Sequence, residues 1–191
     1  MTVVNITNFQ FLINNDICGT GPVSFVFTVH SAVGNRERRD TVRAGWGGTA
    51  GPGAGARLAF LLGATSDPAI QVALVSENSQ HRDLVQGGFT DTYANLSYKT
   101  VMGAVWVGQF CPQAEFMVKT DDDMFVDVWA LHRVTRPHLT SPLHAAGRQL
   151  LCGKAPSIDS EMNDLQKPNQ VCIYILGFFY PAESTSKIQK V

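Results

Sequence analysis

The stretch Glu115-Phe116-Met117-Val118-Lys119-Thr120 reads as a short strand that runs straight into Asp121-Asp122-Asp123, and a second apolar run, Met124-Phe125-Val126, follows. Three like charges in a row repel one another, so hydrophobic burial gives no reason to put them at the end of a buried strand. The arrangement calls for a counter-charge, and a divalent cation is the simplest one. Carboxylate oxygens suit hard ions such as Mg²⁺ or Mn²⁺. Side chains alternate along an extended segment, so Asp121 and Asp123 would face one side and share one ion. An ion held by few protein ligands keeps open positions, which phosphate oxygens commonly fill. That is chemistry for a nucleotide diphosphate.

The rest of the chain alternates between strand and helix signals. Asn8 to Ile13 offers a short edge strand, and Val23 to Val29, rich in β-branched and aromatic residues, a buried one. Asn35 is placed to cap a helix over Arg36 to Trp46, with Val42 and Trp46 facing inward. Arg36 and Arg38 would lie on its solvated face. Arg39 and Arg43 are four apart and share a face, where they could meet phosphates. The glycine-rich stretch Gly45 to Ala56 follows a charged helical segment and is broken by Pro52, so it reads as a flexible loop and not as a dinucleotide fingerprint. Arg57 to Gly63 is a second buried strand. Ser66 to Val75 has no clear pattern, and Glu77 to Val85 reads as a short polar helix or loop, with His81 on the surface. Asp91 offers an N-cap to a helix over Thr92 to Phe110, with Tyr93, Leu96, Val101, Ala104, Val105 and Gly108 at helical spacing and Lys99 a surface lysine. Pro112 stops that helix. Strand, helix, strand, helix, strand implies an α/β domain with a mostly parallel sheet. Ligands bind such sheets beyond the carboxyl ends of the strands, where Ser31 and Asp121 both fall.

Composition narrows the classes. The 191 residues suit one domain, 45% of them are hydrophobic, and the net charge of -1 argues against a nucleic-acid partner. No apolar run is long enough to span a bilayer, and no signal peptide is visible at the N-terminus. Cys18, Cys111, Cys152 and Cys172 form no CxxC pair, which disfavours zinc. Disulfides in a secretory compartment and free core thiols both stay open. Phe125 and Val126 break the pattern of a calcium EF-hand. Phe125 also departs from that of a haloacid-dehalogenase phosphatase.

The chain resembles the β-1,3-galactosyltransferase and β-1,3-N-acetylglucosaminyltransferase family, which includes the Fringe-type enzymes. Four motifs carry the resemblance. They are Ser31, Asn35, Arg39, Arg43 and Trp46; Phe60-Leu61-Leu62-Gly63; Asp83, Phe89, Asp91, Tyr93, Asn95, Leu96 and Lys99; and Trp106, Cys111, Ala114 and Phe116 with Lys119 through Val126. The resemblance implies a GT-A (Rossmann-like) fold and a Golgi enzyme, on the lumenal side of the membrane through an anchor absent from this sequence. It implies inverting transfer of galactose or N-acetylglucosamine from UDP-galactose or UDP-N-acetylglucosamine to a glycan acceptor on protein or lipid, with Mn²⁺ as cofactor. By the same resemblance Asp121 and Asp123 are metal ligands, and Ser31, Arg39, Arg43, Lys99, Asp121 and Asp122 bind the nucleotide-sugar. Gly45 departs from the family's usual Thr before Trp46.

On this reading residues 1–22 form an N-terminal extension, 23–151 an incomplete donor-binding domain and 152–191 a divergent segment. The motifs fade after about Leu151, and the acidic motif that supplies the family's general base has no counterpart. Asp159, Glu161, Asp164 and Glu183 are the carboxylates in that segment, and none has the family's acidic context. The expectation is therefore a truncated or mis-spliced product whose catalytic base is unassigned. The alternative is an inactive fragment that binds UDP-sugar without transfer.

Overall fold

The computed structural model describes residues 9–139, 149–154 and 170–175. The elements are β1 (Phe11–Ile13), β2 (Val23–His30), α1 (Arg36–Ala44), β3 (Ala56–Ala64), α2 (Pro68–His81), β4 (Leu84–Thr90), α3 (Leu96–Phe110), β5 (Ala114–Asp121), α4 (Val128–Leu139), β6 (Gln149–Lys154) and β7 (Gln170–Ile175). Five strands form one sheet in the order β1-β4-β3-β2-β5; β6 and β7 form a separate antiparallel pair. Only β1 is antiparallel in the larger sheet. This is the α/β, mostly parallel architecture that the alternating runs imply.

The strand order locates the mouth of the sheet. From β2 the chain steps outward to β3 and β4, then returns to lay β5 on the other side of β2. The direction of winding reverses between β2 and β5, and a crevice opens at the carboxyl ends of strands that diverge in this way. The register sets His30 against Asp121 at that end. Apolar side chains cover both faces of the sheet. Phe25, Phe27 and Phe60 pack with Val42 of α1, Leu74 of α2 and Leu131 of α4. Val26 and Leu61 pack on the opposite face with Met102 and Trp106 of α3. A disulfide between Cys18 and Cys111 ties the entry to β2 to the end of α3. In β6 and β7, Cys152 and Cys172 are register partners.

Several expectations need correction. The segment after β3 is a full helix and strand, α2 and β4, so the sheet has one more parallel strand than the sequence suggests. Asp67 caps α2, accepting from the Ala69 N–H at 2.8 Å, with Pro68 in the first turn. Its pattern is mixed: Leu74 is buried in the core, but Val72 and Val75 are exposed and Glu77 is buried. The helix after β4 begins at Leu96, and its buried face is Lys99, Met102, Gly103, Trp106 and Val107, while Tyr93 and Leu96 are exposed. Neither Asn35 nor Asp91 caps a helix with its side chain. Asn35 turns to Asp122, and Asp91 accepts from Gly63 and Lys99. The glycine-rich stretch folds into two short 3₁₀ turns, Trp46–Thr49 and Pro52–Ala54, with Gly47 buried. Residues 1–8, 140–148, 155–169 and 176–191 lie outside the described residues.

Gly63 explains why Phe60-Leu61-Leu62 ends in glycine. A Cβ there would sit 2.7 Å from the Asp91 Cα and 2.8 Å from the Phe89 carbonyl oxygen. The same close approach lets the Gly63 N–H donate to Asp91 at 3.0 Å. Gly63→Ala is expected to cost about 1–3 kcal/mol, the usual range for overpacking. Urea unfolding checks this, and an unchanged midpoint would show that the turn after Phe89 yields freely.

Candidate functional site

The acidic triplet lies at the switch between β2 and β5, and its three carboxylates differ. Asp121 ends β5, and the Asp122 N–H donates to the His30 carbonyl at 3.1 Å. Asp122 is buried. It accepts from the Ser31 hydroxyl at 2.7 Å, from the Asn35 amide at 3.0 Å and from Arg38 at 3.3 Å. Asp121 and Asp123 remain 54% and 62% exposed. Burial alternates along the triplet as a strand-like path requires: the middle carboxylate is a fastening and the outer two face solvent. Trp46 Nε1 donates to the Met124 carbonyl at 2.9 Å and so pins the turn that follows.

Ser31 is the hub behind the triplet. Arg39 Nη1 donates to its hydroxyl at 3.0 Å and to the Ala32 carbonyl at 2.7 Å, and Lys99 Nζ donates to the Ser31 carbonyl at 2.7 Å. Lys99 also pairs with Asp91 at 2.8 Å. Arg39 is fully buried, and Glu77, equally buried, takes it at 2.7 Å and Arg43 at 2.7 Å. Arg43 continues to Asp83 at 2.8 Å. Burial alone would raise the Glu77 carboxyl, but hydrogen bonds and charge from Arg39 and Arg43 outweigh it, and the group is held below its ordinary value.

This placement revises the expected roles. Ser31 and Asp122 meet at the mouth, and Asp121 and Asp123 flank them. Arg39 and Arg43 do share a face, but it is turned to Glu77 and Asp83, so both guanidiniums brace the core. Lys99 is a buried brace, not a surface lysine. Arg38, expected on the solvated face, is the arginine of α1 that reaches the acids, 3.3 Å from Asp122 and 3.4 Å from Asp123. Lys119 lies 3.4 Å from Asp121, as period-two spacing on β5 allows. His30 was missed altogether. Burial first, then the nearby charges of Lys119 and Lys99, lower its pKa to about 3. The ring is therefore neutral at ordinary pH, and its 4.0 Å approach to Asp121 is not an ion pair. Its Nε2 is buried with no partner among the described residues. Asp159, Glu161, Asp164 and Glu183 lie outside the described residues.

A family model, Galactosyltransferase, matches residues 37–171. The chain belongs to the galactosyltransferase family. The family match extends past Leu151, where the recognisable motifs end. A lactosylceramide 1,3-N-acetyl-beta-D-glucosaminyltransferase A from Xenopus laevis is 39% identical over 62% of this chain and 34% of its own length. A beta-1,3-galactosyltransferase 5 from Mus musculus is 41% identical over 62% of this chain and 39% of its own. Beta-1,3-galactosyltransferase 2 from Mus musculus is 29% identical over 98% of this chain and 47% of its own. The chain thus spans between about a third and a half of the curated relatives it matches.

The site of this galactosyltransferase-family chain presents oxygen donors of the type that a hard divalent ion takes. Among the described residues no three His, Cys, Asp or Glu side chains converge to hold a metal by themselves. Asp121 and Asp123 nonetheless offer exposed oxygen donors, and an ion of this class is commonly held by one or two carboxylates plus substrate phosphates. No helix among the described residues is long and apolar enough to cross a membrane.

Proposed function

We propose that this chain carries the donor side of a hexosyltransferase of the β-1,3-galactosyltransferase type. Its donor would be UDP-galactose or UDP-N-acetylglucosamine, and its acceptor a hydroxyl of a glycan on protein or lipid. In inverting transfer that hydroxyl attacks the anomeric carbon, the bond to UDP breaks with its electron pair going to the diphosphate, and a base takes the hydroxyl proton. The base is not assigned to any described residue. Mn²⁺ held by Asp121 and Asp123 would supply Lewis-acid stabilisation of charge on the departing diphosphate. Asp122, locked by Ser31, Asn35 and Arg38, sets where the outer carboxylates stand. The observation that carries the reading is this split triplet, one carboxylate fastened and two exposed, at the switch point of a parallel sheet. The relatives bear transferase names, and no observation here favours a binding-only fragment over them.

A Golgi location, on the lumenal side, belongs to the same proposal. The Cys18–Cys111 disulfide supports it, since such bonds persist in oxidising compartments.

Calorimetry with Mn²⁺ and UDP tests the donor site. UDP should bind the full chain with Mn²⁺ present and lose at least about tenfold in affinity on chelation, a difference of roughly 1.4 kcal/mol. Asp123→Ala should reproduce that loss at an unchanged melting temperature. Equal UDP affinity with and without the metal would remove Asp121 and Asp123 from the site.

A further inference from the structure

We propose that Arg38 and Lys119 couple cation binding to nucleotide binding: each neutralises an outer carboxylate of the triplet while no cation is there, and each is freed toward the diphosphate once one arrives. This rests on the donor-site reading above and adds a regulation to that site.

The geometry gives each outer carboxylate its own basic partner. Lys119 Nζ lies 3.4 Å from Asp121 Oδ1, and Arg38 Nη1 lies 3.4 Å from Asp123 Oδ2. Both contacts are long, and the carboxylates are more than half exposed, so water and salt weaken them and they exchange easily. The contrast with the neighbouring cations is sharp. Arg39 is held by buried Glu77, Arg43 by Glu77 and Asp83, and Lys99 by Asp91. Arg36 turns away to Asp40 and Gln80. His30 is neutral. Among the described residues, Arg38 and Lys119 are thus the cations at the mouth held to exposed carboxylates by long contacts; Arg38 also lies 3.3 Å from buried Asp122, a contact that it can keep through one N–H while its hold on Asp123 is exchanged.

Charge then dictates two effects of opposite sign. A divalent ion arriving at Asp121 and Asp123 must displace Arg38 and Lys119, so both compete with it. Once it is bound, the mouth holds four positive charges against three carboxylates, and the released side chains face an incoming diphosphate. An arginine can grip that group with two parallel N–H bonds. The same guanidinium that weakens binding of the bare cation therefore strengthens binding of the nucleotide. A residue that merely braces Asp122 would support both events alike.

The experiment uses the full chain, MnCl₂ alone and UDP at saturating MnCl₂. Free Mn²⁺ is read by electron paramagnetic resonance and UDP by calorimetry, and thermal melts confirm that the variants fold. Arg38→Gln should tighten Mn²⁺ alone by about three- to tenfold and weaken UDP in the presence of Mn²⁺ by about three- to tenfold, as expected for one partly screened charge at close range. Arg38→Lys keeps the charge and should stay within about twofold of wild type for Mn²⁺ alone. If Arg38→Gln does not fold, Lys119→Gln carries the test with the same pair of signs. Wild-type binding of UDP with both variant shifts in one direction, or with neither shift, overturns the coupling alone. Failure of the wild-type chain to bind UDP with Mn²⁺ overturns the donor-site reading, and this coupling with it.

Discussion

Glu77→Gln is expected to cost the fold about 3–5 kcal/mol, the range for removing one partner of a buried ion pair. Domains of ordinary size have only about 5–15 kcal/mol in total. Glutamine keeps the shape but removes the charge that both Arg39 and Arg43 face. Arg39 and Glu77 are each 1% exposed, so water cannot replace the lost partner. The effect should have a pH signature. The wild-type carboxyl is held below its ordinary 4.5, so its contribution is complete above that value and lost as the pH falls through the lowered one. The variant should lack that part of the acid slope. Urea titrations at neutral and acid pH measure both effects. A neutral-pH loss under about 1 kcal/mol would mean that Asp83 and Asp40 satisfy Arg43, and Ser31 with the Ala32 and Val33 carbonyls satisfies Arg39, without the carboxylate.

Removal of the Cys18–Cys111 bridge by Cys18→Ser with Cys111→Ser should also have a large effect. The bond joins residues 93 apart, and cross-linking a long loop removes many unfolded conformations. Losing such a bridge typically costs about 2–5 kcal/mol. For a chain of this size, about 2–4 °C of melting temperature goes with each kcal/mol, so a drop of roughly 5–20 °C is expected. Both sulfurs are deeply buried beside Met102 and Trp106, so the serines also place hydroxyls in an apolar layer. Equal melting of the double variant and the wild type under oxidising conditions would show that the bridge does not form.

What the sequence revealed follows from which residues announce their surroundings. β2, β3 and β5 were legible because β-branched and aromatic runs fit strands buried on both faces. The acidic triplet stood out because its charge contradicts the strand before it. α2 and β4 were not legible. The inward Glu77 looks like a surface residue until its arginines are found some forty positions earlier, and Gly87 and Gly88 dilute the strand signal of β4. α3 was turned to the wrong face for a similar reason: Lys99 and Gly103 occupy buried positions that pattern reading reserves for larger apolar side chains. The arginines of α1 mark where local spacing stops informing. Spacing put Arg39 and Arg43 on one face, as observed, but that face is assigned by Glu77 and Asp83, and Arg38 by Asp122 and Asp123. All four carboxylates are distant in sequence, so the partners appear only after folding.

Ser31 gives the triplet its timing as well as its position. Its single proton goes to Asp122 at 2.7 Å while its oxygen accepts from buried Arg39 at 3.0 Å. The middle acid is therefore fastened to the same network that holds α1 to α2. It cannot drift as a loop residue drifts, over nanoseconds, without breaking bonds that the interior keeps closed. Its backbone amide, bonded to the His30 carbonyl, is expected to exchange more slowly than unbonded amides of the connecting segments. The breathing of this mouth is then left to the exposed outer side chains, while the frame beneath them opens only when the sheet itself opens.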